Sequence, residues 1–473
     1  MPDKKQEQII CPFCCHRFHP NEADFRLGGS RKSLDENLFN YYTDVMLLEE
    51  TEAKQKANQP PFASVTDDKE FITFDESDIV KYGFAQRITI AKNKGKPQVS
   101  DQRLCPNCHN NLPIGYGMRD ILLISILGDA RSGKSVYLTM LVAELENNPD
   151  FPSKLTFIGD KQTRDNFFEN YQKPLLKEHI LISSTKRKKI PPYAFNYWYQ
   201  YKDETGDFKE NSIDIIFYDI AGEDLRDDEG IRNNGFTIKD SSGLIFLADP
   251  TNFKRLADLF RFSDAALIEA IPEENSNQAI FNTLYNYFLG FDKEKCPIPL
   301  ALVISKADLF KHVNFDFFNN KPENRIQHIL TDEIHRGAVN ISSVKGINEE
   351  VREIISYLNE DGILNNALGC FKNVNCFALS SLGKKPVVEK ISDPETNETV
   401  EKGFIDGQLE PFRVKDPFYW ILMRNQLILQ HENNRYSFHG DVTVEPEEKQ
   451  MLSIMQKITN FFAKLIGKHL SRE

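Results

Sequence analysis

The stretch that most constrains this chain is Ile121-Leu122-Leu123-Ile124-Ser125-Ile126-Leu127, which breaks at once into Gly128-Asp129-Ala130-Arg131-Ser132-Gly133-Lys134-Ser135. The run is apolar apart from Ser125 and does not alternate, so it reads as a strand buried on both faces, the habit of parallel sheets. The loop after it matches G-x-x-x-x-G-K-[ST] in full, and a helical stretch from Ser135 to about Asn147 follows. Glycines let the backbone curl until successive N–H groups face one point, and the helix start adds its positive end. An ordinary glycine turn would lack these flanking elements. Lys134 would reach the β- and γ-phosphates of a nucleotide, and the Ser135 hydroxyl would bind Mg²⁺.

The same strand grammar recurs downstream. Pro192 to Tyr201 alternates aromatic and polar residues, Ile213 to Tyr218 is mostly apolar, and Asp203 to Asp207 could turn between them. Gly243 to Ala248, Leu300 to Ser305 and Asn375 to Leu379 are further buried-strand candidates. Helical patterns lie around Asn252 to Leu267, Asn277 to Phe288, Glu323 to Ile341 and Ile347 to Leu358, with Asp416 to Glu432 as the last helix of the unit. Pro386 to Ile405 reads as an inserted hairpin around Asp393-Pro394-Glu395. Strands alternating with helices predict an α/β fold, a three-layer sandwich on a mostly parallel central sheet.

Two downstream motifs stand at strand ends. Asp219-Ile220-Ala221-Gly222-Glu223 follows Ile213 to Tyr218, where a carboxylate could hold Mg²⁺ and the Gly222 amide could touch the γ-phosphate. Ser305-Lys306-Ala307-Asp308 follows Leu300 to Ile304. An aspartate there can accept from both the guanine N1–H and its exocyclic amino group, whereas adenine would leave it unpaired. Lys306 would lie along the base, and Ser380-Ser381-Leu382 could offer backbone N–H groups to the guanine O6.

With all four elements in this order, the chain from roughly Asp120 to Asn434 resembles the translation-factor-related, Ras-like P-loop GTPases. Within them it is similar to the bacterial double-GTPase family. That resemblance implies GTP binding, Mg²⁺-dependent hydrolysis to GDP, switch behaviour, a protein partner or effector, and a role in bacterial defence or signalling. It also implies a switch threonine between the first helix and the second strand. Thr185 is the candidate, with Thr156 and Thr163 as alternatives, and Lys134, Glu223 and Thr185 form the expected catalytic set. Ser305 departs from the family's Asn or Thr, and Glu223 from its Gln. The second change adds negative charge beside the γ-phosphate, so hydrolysis is expected to be slow or to need a partner's arginine. A non-hydrolysing GTP-binding scaffold is the alternative, and an ATPase a third. The basic run Lys186 to Lys189 is either a solvated loop or an effector or phosphate contact.

Ahead of this unit stand Cys11-Pro12-Phe13-Cys14 and Cys105-Pro106-Asn107-Cys108. Each two-residue gap lets both sulfurs of a pair point inward, so four thiolates can surround Zn²⁺ tetrahedrally. The pairs stand much further apart than the roughly 15–20 residues usual for such sites. A folded insertion must therefore lie between them, with Phe71 to Phe74 and Gln86 to Ala91 as short strands. Cys15, His16, His19 and His109 are nearby alternative ligands, and unrelated reduced thiols are the plainer reading. No catalytic acid accompanies the pairs, so the metal is read as structural.

Composition limits the rest. The chain has 473 residues, a formal charge of −12 and eight cysteines. The charge argues against a general nucleic-acid binder, and cysteines this sparse against a disulfide scaffold. Apolar runs are too short to cross a bilayer, and MPDKKQEQII lacks a secretory core, so a cytoplasmic protein is expected. Met451, Ile454, Met455, Ile458, Phe461, Phe462 and Leu465 make an apolar stripe beside Lys449, Lys457, Lys464, Lys468 and Arg472. Such a helix can pack on its own domain, grip a partner or lie peripherally on a membrane. The expected units are a zinc-ribbon-like module over 1–118, a Ras-like domain over 119–434, and a linker with an amphipathic helix over 435–473.

Overall fold

The computed structural model describes residues 8–65, 69–91, 96–129, 131–146, 148, 152–182, 191–220, 225, 235, 237–253, 255–256, 276–289, 295–312, 329–330, 337–392, 399–432 and 435–437. Its centre is a seven-stranded sheet. The strands in chain order are β1 (Asp120–Gly128), β2 (Ser153–Phe157), β3 (Tyr193–Lys202), β4 (Phe208–Asp219), β5 (Gly243–Ala248), β6 (Leu300–Ile304) and β7 (Val374–Ala378), arranged β2-β3-β4-β1-β5-β6-β7. From β4 to β7 every pairing is parallel, and β2, β3 and β4 pair antiparallel. The protein is thus α/β with a mostly parallel central sheet.

The apolar runs become the middle strands because each residue there meets a covering layer on its own face. In β5 and β6 every residue is buried, as is all of β1 from Leu122 onward. The alternating aromatic segment becomes β3, with Tyr193, Phe195, Tyr197 and Tyr199 buried. Its hairpin to β4 turns on Asp203, whose carboxylate accepts from Thr205 N and Asp207 N, both at 3.0 Å, with Gly206 at φ +86°. The helices are α1 (Lys134–Glu146), α2 (Lys161–Phe167), α3 (Ser276–Leu289), α4 (Ile341–Tyr357), α5 (Asp361–Cys370) and α6 (Asp416–Arg424). Phe418 of α6 packs on Tyr197 and Phe217, with ring centroids 5.7 and 6.5 Å away.

Several expectations need correction. The last helix does not run to Glu432. It ends at Arg424, Gln426 turns the chain at φ +58°, and Gln430–Glu432 pairs with Val339–Asn340 and Arg435–Ser437. Val339–Asn340 is accordingly strand, and the Asn340 side chain caps α4 by accepting from Ser343 N. Edge strand β2 was not expected, since its five residues carry too little pattern to be read alone. The inserted hairpin is present as Val387–Ser392 against Thr399–Phe404, with its tip outside the described residues.

The expected insertion between the cysteine pairs is folded. Asp24–Arg26 lies between Arg103–Leu104 and Phe62–Ala63, and Ile72–Phe74, Ile88–Ile90 and Gln98–Ser100 form an antiparallel meander. Phe25, Ala63, Val65, Ile72 and Ile88 make its own small core. Both cysteine pairs belong instead to the main core that continues into the sheet. Residues 438–473, including the apolar stripe, and Lys186 to Lys189 lie outside the described residues. Among the described residues no helix is long and apolar enough to cross a membrane.

Candidate functional site

The carboxyl ends of β1, β4, β5 and β6 meet at one edge of the sheet, where open α/β sheets leave a crevice for ligands. The loop leaving β1 turns with Gly128 at φ +143°, Arg131 at +66° and Gly133 at +89°. A side chain at 128 would run into the Leu247 carbonyl oxygen, so only glycine lets β1 approach β5 this closely before the turn. Lys134 opens α1, and its ammonium donates to the Gly128 and Asp129 carbonyls, both at 2.9 Å. Ser132 Oγ is fully buried beneath the loop and makes no hydrogen bond within the described residues. A buried orphan hydroxyl is costly, and an anion seated in the loop would satisfy it. Ala130 lies outside the described residues.

The next residue, Ser135, donates its hydroxyl to Asp219 Oδ2 at 2.7 Å. Two hard oxygen donors from α1 and the end of β4 therefore converge, the chemistry a Mg²⁺ ion takes. Burial pushes the Asp219 carboxyl above the usual range, with the Lys134 charge and the Ser135 hydroxyl opposing it. The sequence offered no hint of the aromatic wall beside this pair. Tyr171 stacks on Phe167 and Tyr193 packs tilted against it, and the buried Tyr171 phenol is held protonated by burial and by the nearby Asp219 charge. Gly222, Glu223 and Thr185 lie outside the described residues. Of the alternatives to Thr185, Thr163 spends its hydroxyl on Asp160 Oδ2 at 2.7 Å, and Thr156 is exposed on edge strand β2.

Beyond β5, Lys306 holds φ +51° and reaches Asp249 Oδ2 at 2.6 Å. Asp308 is buried and accepts from the Ser380 hydroxyl, which also receives Gly383 N at 2.8 Å. The Ser380 N–H is itself committed to the Phe412 carbonyl at 3.2 Å, while Ser381 and Leu382 continue the turn. The loops that carry Lys134 and Asp308 thus leave the same edge of the sheet, from β1 and β6, with only β5 between those strands. Ser305 Oγ turns inward to the Ala248 carbonyl at 3.2 Å. A brace on the phosphate loop comes instead from Asn252, whose amide reaches Asp129 Oδ2 at 3.4 Å.

Against the opposite face of β4, the Sγ atoms of Cys11, Cys14, Cys105 and Cys108 lie within 4.8 Å of one another, with Cys11–Cys108 and Cys14–Cys105 at 3.7 Å. Tetrahedral Zn²⁺ with bonds of about 2.3 Å needs sulfur edges of about 3.8 Å, so the cluster fits that ion. The two knuckles share one geometry. Phe13 N and Asn107 N each donate to the first sulfur of their pair at 3.4 Å, and Cys15 and His109 both turn left-handed, at φ +54° and +50°. His109 is no ligand. It bonds Asp35 at 2.8 Å within a buried group completed by Arg26, and this group ties the insertion to the second knuckle.

Residues 122–355 match the family model Double-GTPase 2. The chain is 23% identical to the "Putative ESX-1 scaffolding and assembly protein SaeC" of Mycolicibacterium smegmatis, over 67% of this chain and 78% of that protein. Crystal structures of Sup35 with GMPPNP and with GDP align at TM-scores of 0.23 and 0.22 and identities of 10% and 11%. Each alignment covers 56% of this chain and only 39% and 38%, respectively, of the Sup35 chain. The match starts inside β1, takes in the phosphate loop, the Asp219 strand end and the Asp308 turn, and closes within α4. Residues 122–355, just under half of the chain, therefore form a double-GTPase domain with a GTP-binding P-loop fold.

Proposed function

We propose that this protein is a Mg²⁺-dependent GTPase that works as a nucleotide switch through a protein partner. The observation that carries the reading is the 2.7 Å contact between Ser135 and Asp219 directly beneath the phosphate loop. With the Lys134 ammonium beside them, they form a compact set of one cation and two metal-seeking oxygens. Lys134 would leave the loop carbonyls for the β- and γ-phosphate oxygens, and loop amides would hold the rest of the chain of phosphates. Ser135 and Asp219 would hold Mg²⁺, which supplies charge compensation between those phosphates when bound. Asp308 would exchange the Ser380 hydroxyl for the guanine edge, with Lys306 along the base and Ser381 and Leu382 at O6. Thr185, Gly222 and Glu223 keep, from sequence alone, the roles of metal-sensing hydroxyl, γ-phosphate amide and water-facing carboxylate. The four cysteines would hold a structural Zn²⁺.

Release of phosphate from GTP in a single turnover tests the proposal. The native chain should hydrolyse Mg²⁺–GTP, slowly or on adding a partner, and Lys134→Ala should fall by at least about a hundredfold, as loss of one phosphate-stabilising donor costs elsewhere. No Lys134-dependent release defeats the enzyme reading. A GTP-binding scaffold would then stand, a reading favoured by the relative named as a putative scaffolding and assembly protein. A place in bacterial defence or signalling follows from the family resemblance and belongs to the same proposal.

A further inference from the structure

Strand β4 ends in Asp219, and the cysteine module grips that strand on its opposite face. Residues two apart share a face of a strand, so Asp214 and Tyr218 point away from the side on which Asp219 meets α1. Tyr218 is held by the module, and Asp214 by the residue that joins the module to β1. Arg119, in the segment leaving the second knuckle, donates to Asp214 Oδ1 at 2.8 Å. Tyr218, which is 6% exposed, donates its hydroxyl to the Pro12 carbonyl at 2.8 Å, inside the first knuckle, and Cys15 Sγ lies 3.9 Å from the same hydroxyl. Arg17, just past that knuckle, pairs with Asp240 at 2.7 Å. The module therefore holds the chain immediately before Asp219 and again at Asp240.

We propose that Tyr218 is a positioning residue: its bond to Pro12 couples the placement of Asp219, and so the Mg²⁺ affinity of the nucleotide site, to the metal-bound form of the cysteine module. The inference rests on the reading of Asp219 as a Mg²⁺ ligand. The mechanics are local. Pro12 sits between Cys11 and Cys14, and its carbonyl is aimed by a loop that closes through Cys15 N to Cys11 O at 3.0 Å and Phe13 N to Cys11 Sγ at 3.4 Å. A metal gathers those sulfurs. Without it the knuckle loosens, the Pro12 carbonyl turns, and the buried Tyr218 hydroxyl loses its acceptor. An orphaned buried hydroxyl is costly enough for the strand end to move in search of water. Since consecutive Cα atoms are about 3.8 Å apart, Asp219 moves with Tyr218.

The test uses the full chain, native and Tyr218→Phe, and a fluorescent GTP analogue titrated with Mg²⁺ and, separately, in buffer freed of Mg²⁺ without a chelator. Zinc per chain is measured in parallel, along with amide exchange over residues 215–219 before and after zinc chelation. Tyr218→Phe should keep the zinc and the affinity without Mg²⁺, while the Mg²⁺ concentration for half-effect rises roughly fivefold, the worth of one buried hydrogen bond. Chelating zinc from the native chain should produce the same rise and faster exchange at 215–219, and should add little in Tyr218→Phe. An unchanged Mg²⁺ half-effect, or equal losses with and without Mg²⁺, overturns the proposal. If the native chain shows no Mg²⁺ effect at all, the reading of Asp219 fails. The exchange data then decide the mechanical link, and unchanged protection at 215–219 on losing zinc refutes that as well.

Discussion

Replacing Gly128 with alanine isolates the packing that makes the phosphate loop possible. At φ +143° an L-residue is strained, and a Cβ there would meet the Leu247 carbonyl oxygen of β5 and lie 2.8 Å from Ser132 Oγ. Neither neighbour can step aside, one being strand backbone and the other packed under the loop. Gly133 supplies the internal control, because it also has positive φ, +89°, yet a Cβ there would meet nothing within 4 Å. Gly133→Ala should therefore cost only the backbone term, about 1–2 kcal/mol. Gly128→Ala should add an overpacking term of about 1–3 kcal/mol and total about 2–5 kcal/mol. Chemical denaturation of both variants without nucleotide measures the difference, and binding of a fluorescent GTP analogue reports the loop. Gly128→Ala should be the less stable by at least about 1 kcal/mol and should bind nucleotide at least tenfold more weakly than the native chain. Equal stabilities for the two variants would refute the argument that close approach of β1 and β5 demands glycine.

Three further outcomes are expected. Asp308→Ala should lower the preference for GTP over ATP by at least about tenfold in competition binding, since the carboxylate is the group that distinguishes the two purine edges; a native preference for ATP defeats the guanine assignment. Elemental analysis should find about one zinc per chain, and replacing both Cys105 and Cys108 with serine should abolish it; full retention refutes the four-sulfur site. Asp219→Asn should raise the melting temperature of the nucleotide-free protein at pH 7 by a few degrees while removing the Mg²⁺ dependence of nucleotide binding. Burial raises the Asp219 carboxyl above its unfolded value, so its ionised form works against folding. That penalty fades as pH falls through the folded-state value, and the gain from Asp219→Asn should shrink with it. A gain independent of pH contradicts the assignment.

What the sequence determined was the part governed by local pattern. Mostly apolar runs identify β1, β5, β6 and β7, because a residue buried on either face of a strand seldom has a polar choice. Glycine spacing locates the phosphate loop, because few residues tolerate its backbone, and C-P-x-C identifies both knuckles. Contacts between distant segments were not legible. Sequence alone did not reveal that Tyr171 and Tyr193 wall the Ser135–Asp219 pair, or that Asn252 braces Asp129 where Ser305 turns inward. Short pairings such as β2 with β3, or Gln430–Glu432 with Val339–Asn340, carry too few residues for a period and exist only because a neighbouring strand offers its edge. Most of all, tertiary structure decided that the cysteine module packs on the strand carrying Asp219. A motif specifies which chemistry a segment can perform, but which two motifs share a strand depends on faces brought together by burial, and no local pattern encodes that.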